Sequence, residues 1–218
     1  MDEPPRTGRV WDRPVRLIHW ALVVLIAFSW WSHEDHLDWH RLSGYAIVAL
    51  LVFRIWWGFA GSSTARFSRF LAGPARIRTY LAGKAAPAIG HNPLGGWSVA
   101  AMLATLVVHV TFGMFSVDVD GIESGPLAVF VSFDTGRAFA EAHDISFKVL
   151  LGLIVLHIGA VAFYALRGKN LVGPMIGGGA PLPGGAEPMT AAPRWSLVVG
   201  IGLAAGAFSL LLWLNRGL

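Results

Sequence analysis

Polar and apolar positions alternate in long blocks along this chain rather than with the short periods of an amphipathic soluble fold. A helix that crosses a bilayer needs about 20 mostly apolar residues, because every backbone polar group must be satisfied within the segment. Five stretches meet that requirement, over residues 15–32, 42–60, 97–116, 145–166 and 195–214. The second is interrupted by Arg54. The first has too long an apolar region, and no small-residue cleavage site after it, for a signal peptide. Residues 173–193 are rich in Gly and Pro and predict a flexible connection ahead of the last helix.

Composition sharpens this picture. Hydrophobic residues make up 55% of the 218 and charged residues only 14%, against roughly 25% charged in a soluble domain. Such a chain cannot cover a water-facing surface, and it is neither disordered nor a nucleic-acid binder despite its net charge of +4. The absence of cysteine excludes disulfides, thiolate metal sites, iron–sulfur clusters and covalent c-type haem. Ten tryptophans suit residence at a lipid–water boundary.

The connections differ in charge. Arg6, Arg9, Arg13 and Arg16 precede the first span; Arg66, Arg69, Arg76, Arg78 and Lys84 follow the second; Arg167, Lys169 and Arg194 follow the fourth. The first connection instead holds Glu34, Asp35 and Asp38, and the third holds Asp118, Asp120, Glu123, Asp134 and Glu141. Twelve of the 17 basic residues thus fall on one side, which the positive-inside rule makes cytoplasmic. The expected organisation is a cytoplasmic N-terminus (1–14), a four-helix domain (15–172), a cytoplasmic linker (173–194) and a fifth transmembrane helix (195–218). The C-terminus is then periplasmic.

Ionisable residues inside a membrane are costly and point to function. His143 and His157 are fourteen residues apart on one span, so both rings face nearly the same way, ~21 Å apart along the axis. That spacing suits two cofactors at two depths of a helix bundle. His40 lies level with His143 at the outer side, and His19, near the cytoplasmic end of the first span, pairs less evenly with His157. Bis-imidazole ligation across a four-helix bundle holds a planar iron porphyrin. The competing reading makes these buried rings hydrogen-bonded to carbonyls or to other helices.

The other histidines are less pointed. His109 falls between the two expected depths and is read as packing or hydrogen-bonding. A place near a quinone, a part in proton transfer and alternative ligation stay open for it. His33 and His36 form an HxxH in an acidic loop with no further ligand cluster nearby, and a solvated loop is the simpler reading. His91, in GHNPLGGW, reads as structural or interfacial. No acid lies in the spans to receive Arg54, which leaves a haem propionate or, by snorkelling, the cytoplasmic headgroups. Arg41 could serve an outer haem in the same way.

These pieces resemble the bacterial di-haem cytochrome b family that includes cytochrome b-561 and the b-type subunits of nickel-iron hydrogenases. The matching segments are RVWDRPVRLIHW around His19, WHRLSGY around His40, FRIWWGF around Arg54, GHNPLGGW, and EAHDISFKVLLGLIVLHIGAVAFY. The resemblance spans residues 9 to about 176. It implies an all-α membrane protein whose four-helix core holds two non-covalent b haems. His19 and His157 would ligate the inner iron, and His40 and His143 the outer. His109 and the fifth helix are additions to that pattern, and the interval from His19 to His40 is short for a hydrogenase subunit.

The implied function is electron transfer in the bacterial inner membrane. Electrons would pass between quinone and a periplasmic partner such as a c-type cytochrome or a hydrogenase-like complex. An enzymatic alternative is a stand-alone quinone oxidoreductase of the superoxide-oxidising type, for which a basic outer funnel would attract the anion. The acidic outer connections favour a basic protein partner instead. A haem-free transporter or assembly factor is a third class, and colour in the purified protein tells against it. Oligomeric state and complex membership stay open.

Overall fold

A computed structural model describes residues 6–85, 89–120, 123–184 and 186–215. In chain order its elements are β1 (Thr7–Arg9), α1 (Arg13–Ser32), α2 (Leu37–Ala60), α3 (Phe67–Phe70), α4 (Pro74–Leu81), α5 (Pro93–Phe115), α6 (Phe133–Leu166), α7 (Val172–Gly177), β2 (Gly179–Pro181) and α8 (Arg194–Asn215). A 3-10 turn over Ala128–Phe130 precedes α6. Helices α1, α2, α5, α6 and α8 are long and apolar enough to cross a membrane.

The five long helices coincide with the five apolar stretches, but their ends differ. Helix α6 begins at Phe133, twelve residues before the expected boundary. Hydropathy falls there because Asp134, Arg137, Glu141 and Asp144 are charged, yet nothing in the segment breaks a helix. Helix α5 begins at Pro93 rather than near residue 97, because Asn92 caps it by accepting the Gly95 N–H at 2.7 Å. Proline at the first helical position fits, since its missing N–H would have no partner there anyway.

The chain divides into two compact units. One comprises Met1–His19, Arg54–Ala101 and Val155–Val199. Here Asp12 accepts the Val15 N–H at 2.7 Å, capping α1, while its second oxygen accepts the Trp57 indole N–H at 2.8 Å. One buried carboxylate therefore fixes the start of α1 against α2. The Thr64 hydroxyl donates to the Val10 carbonyl at 2.7 Å, and the Trp97 indole donates to the Ala72 carbonyl at 2.9 Å. At Gly96 a Cβ would come within 2.4 Å of the Phe70 carbonyl oxygen, so only glycine lets α5 approach α3 this closely.

The segment read as a flexible Gly/Pro linker has structure of its own in this unit. Helix α7 ends at Gly178, whose φ of +89° is left-handed. The Gly178 carbonyl accepts both the Val10 and Trp11 N–H groups, at 2.8 and 3.1 Å. Strand β2 then pairs antiparallel with β1, Gly8 opposite Ala180. Three-residue strands leave too little pattern to be recognised one at a time. Further on, the Ser196 hydroxyl donates to the Ala60 carbonyl, and the Trp56 indole donates to the Ser196 carbonyl at 2.8 Å. These bonds tie the start of α8 to the end of α2.

The second unit comprises Trp20–Phe53, Met102–Ile154 and Gly200–Leu218. Its core is a buried cluster of Ile47, Leu51, Leu106 and Leu150, from α2, α5 and α6, against which Leu22, Leu25 and Ile26 of α1 pack. The Tyr45 hydroxyl donates to Asn215 Oδ1 at 2.9 Å, holding the far end of α8 to α2.

Candidate cofactor site

Each unit brings together one pair of the histidines singled out by spacing. In the first unit the ring centroids of His19 (α1) and His157 (α6) are 6.5 Å apart, with planes inclined by 56°. In the second, His40 (α2) and His143 (α6) are 6.1 Å apart and nearly perpendicular, at 88°. Two metal–imidazole bonds of about 2 Å each, plus the distance from nitrogen to ring centroid at both ends, span roughly 6 Å. Both separations therefore leave room for one metal ion between the rings.

Hydrogen bonds prepare the second pair for that role. A carbonyl oxygen can only accept, so His40 Nδ1–H donates to the Ser29 carbonyl at 2.9 Å, and His143 Nδ1–H donates to the His109 carbonyl at 2.8 Å. In both rings the proton sits on Nδ1, and Nε2 keeps the lone pair that a metal takes. A ligand histidine fixed through its other nitrogen in this way is held in tautomer and orientation. Gly113 of α5 makes room for His143, because a Cβ there would come within 2.8 Å of its Cε1. One turn after His40, a Cβ on Gly44 would meet only open space.

His109 is not between two depths, as the sequence suggested. Its ring stacks on His143 with centroids 3.8 Å apart and planes within 11°. Its Nδ1–H returns a bond to the His143 carbonyl at 3.1 Å and lies 3.0 Å from the Ser146 hydroxyl. Two rings stacked at 3.8 Å cannot clasp a metal between them, so in this arrangement His109 is a neighbour of the pair. Helix α5 starts four residues before the expected boundary at residue 97, so His109 lies about one turn further along it.

The two arginines also differ from expectation. Arg54 is buried, only 6% exposed. Its Nη1 donates to the Ala65 carbonyl at 3.4 Å, its guanidinium lies over the Phe67 ring at 5.5 Å, and Asp12 is the acid in electrostatic reach. Asp12 sits just ahead of α1, outside every apolar stretch, so a search of the spans alone misses it. Arg41 is held by two carboxylates, Asp38 at 2.7 Å and Glu123 at 2.8 Å, and its buried Nε has no hydrogen-bond partner. His33 and His36 stay outside both pairs. His33 Nδ1 bonds the Trp30 carbonyl, and His36 packs between Trp31 and Trp39. No cluster able to hold a bare metal ion occurs among the described residues.

Residues 10–178 match the family model for prokaryotic cytochrome b561. The chain belongs to that family. It is therefore a membrane b-type cytochrome, a multi-pass electron-transfer protein that binds b-type haem. Comparison with curated proteins gave no match. The family match includes all four paired histidines, His109, Arg54 and strand β1's neighbour Gly178, and it ends before α8.

Proposed function

We propose that this cytochrome b561 holds two b haems and carries electrons between membrane quinone and a basic redox protein at the periplasmic face. His19 and His157 ligate one iron, and His40 and His143 the other. The observation that carries this reading is the pair of imidazole separations, 6.5 and 6.1 Å, in two separate places on α6. A six-coordinate b haem supplies reversible one-electron chemistry with little rearrangement. The chain's own part is to hold two imidazoles at fixed distance, to keep Nε2 of His40 and His143 unprotonated, and to exclude water with apolar side chains. Arg54 offers a buried positive charge to a propionate in the first site. The basic connections support a cytoplasmic N-terminus and a bacterial inner-membrane location for these haems.

A reduced-minus-oxidised spectrum with haem counted per chain tests the reading. Two non-covalent protohaems per chain are expected; one, or none, overturns it. Arg54→Leu is expected to lower the midpoint potential of the His19–His157 haem. A nearby cation favours the reduced iron, by on the order of 1–2 kcal/mol for a partly buried charge. An unchanged potentiometric titration would remove Arg54 from that role.

Docking of the soluble partner rests on the acids that are not already engaged. Arg41 occupies Asp38 and Glu123, and Asp144 is paired with Lys148 at 2.8 Å. Asp35, Asp120, Asp134 and Glu141 remain exposed. Electron exchange with a basic cytochrome c is expected to slow as salt rises, since exposed charges are screened within ~8 Å at physiological ionic strength. Charge reversal at Asp120, Asp134 and Glu141 should slow it at low salt with both haem spectra intact. A rate indifferent to salt and to the reversal would exclude such a partner.

A further inference from the structure

His91 lies outside both pairs and is half-buried. It lies in the turn before α5, and that turn is anchored on both sides of the Asn92 amide. Asn92 Oδ1 accepts the Gly95 N–H at 2.7 Å, and its Nδ2 donates to the Tyr164 hydroxyl at 2.9 Å. The His91 ring is clamped between Trp11, at 4.7 Å, and Phe70, at 5.1 Å. Its position is therefore set by packing and by its neighbour's hydrogen bonds, without a bond to its own Nδ1. That nitrogen is buried and has no hydrogen-bond partner among the described residues. A buried polar atom without a partner is destabilising, and such atoms are rare enough in folded proteins that each calls for an explanation, an absent ligand among them.

The surroundings indicate what the partner is. Phe70, 5.1 Å from the His91 ring, packs at 5.6 Å on Phe67, over which the Arg54 guanidinium lies at 5.5 Å, and His91 is in electrostatic reach of Arg54, His157 and His19. Asp12 is not its partner: the Asp12 oxygens accept the Val15 N–H and the Trp57 indole N–H. A cation and a buried ring nitrogen in the same neighbourhood as a metal-binding pair suit an anionic oxygen carried by whatever binds there, toward which that nitrogen would carry the ring proton. Burial, with the Arg54 charge adding to it, lowers the His91 pKa to about 3, so the ring is neutral at physiological pH. It then offers one N–H and no charge of its own.

We infer that His91 donates its Nδ1–H to a propionate carboxylate of the haem held by His19 and His157, sharing that anion with Arg54. This rests on the two-haem reading above. His91 is here a positioning residue: it holds the macrocycle's edge and stabilises the propionate as an anion, while the iron stays with His19 and His157.

The test uses the full chain carrying its haems, with haem counted in the unsubstituted protein first. If the His19–His157 haem is absent there, the two-haem reading itself falls, independently of His91. Given both haems, His91→Phe keeps the ring packing and removes the donor, and His91→Gln restores an N–H. Redox-difference infrared spectra of protein loaded with haem 13C-labelled at the propionates report the carboxylate directly. In His91→Phe the labelled carboxylate bands should shift, and the potential of that haem alone should change; in His91→Gln both should move back toward the parent values. If His91→Phe loses this haem and His91→Gln keeps it, the proposal is also supported. Bands and potential unchanged in His91→Phe would overturn it. So would equal loss of the haem in both variants, which would make the ring a packing element only.

Discussion

Leucine in place of His143 should leave the purified protein with one haem instead of two, and leucine in place of His40 should do the same. Each substitution takes one imidazole from a pair whose centroids lie 6.1 Å apart, and no third ring can take over across the gap. His109, the nearest ring, is stacked on His143 at 3.8 Å and approaches it face to face. Leucine at His19 or His157 should likewise remove the other haem while sparing the first. The two classes of variant are expected to lose different components of a potentiometric titration. His109→Leu should keep both haems, because the bond that fixes the His143 tautomer comes from the His109 backbone carbonyl, which the substitution leaves in place. Loss of a haem in the His109 variant, or of both haems in any single ligand variant, would contradict this assignment.

The second large effect is expected at Gly113. A Cβ there would sit 2.8 Å from His143 Cε1 and 3.0 Å from Nδ1, so Gly113→Val must displace the ring or part α5 from α6. Overpacking of this kind costs roughly 1–3 kcal/mol. At a ligand that cost is focused on one torsion, and the His40–His143 haem should be lost or become high-spin. Gly152, also on α6, meets open space at its Cβ position, so Gly152→Ala is the control that should leave the spectrum unaltered. Equal behaviour of the two variants in haem content would show that Gly113 does not shape this site.

The five long helices could be read from the sequence because apolar length is a property of each segment by itself. The fourteen-residue interval between His143 and His157 was equally legible, since both lie on one helix and need no knowledge of neighbours. What could not be read was set by contacts between distant segments. Glu123 reaches Arg41 from another connection, and Asp12 reaches Trp57 from outside the spans. The position of His109 depended on where α5 starts, and Asn92 decides that through one side-chain bond. The N-terminal extension of α6 was hidden for a different reason: charged residues end a hydropathy segment without ending a helix.

The pairing of β1 with β2 bears on how the protein is made. Thr7 is synthesised well before its partner Pro181, which emerges only after α6 is complete. At about 5–20 residues per second the interval is roughly 10–35 s. Through that time the first strand has an open edge, a template on which another chain could pair. Insertion of α1, α2, α5 and α6 must therefore proceed with the N-terminal segment still unlatched. The ladder, with the Gly178 carbonyl seated on the Val10 and Trp11 N–H groups, acts as a late checkpoint in biogenesis: it closes only on a chain whose four preceding long helices have been synthesised.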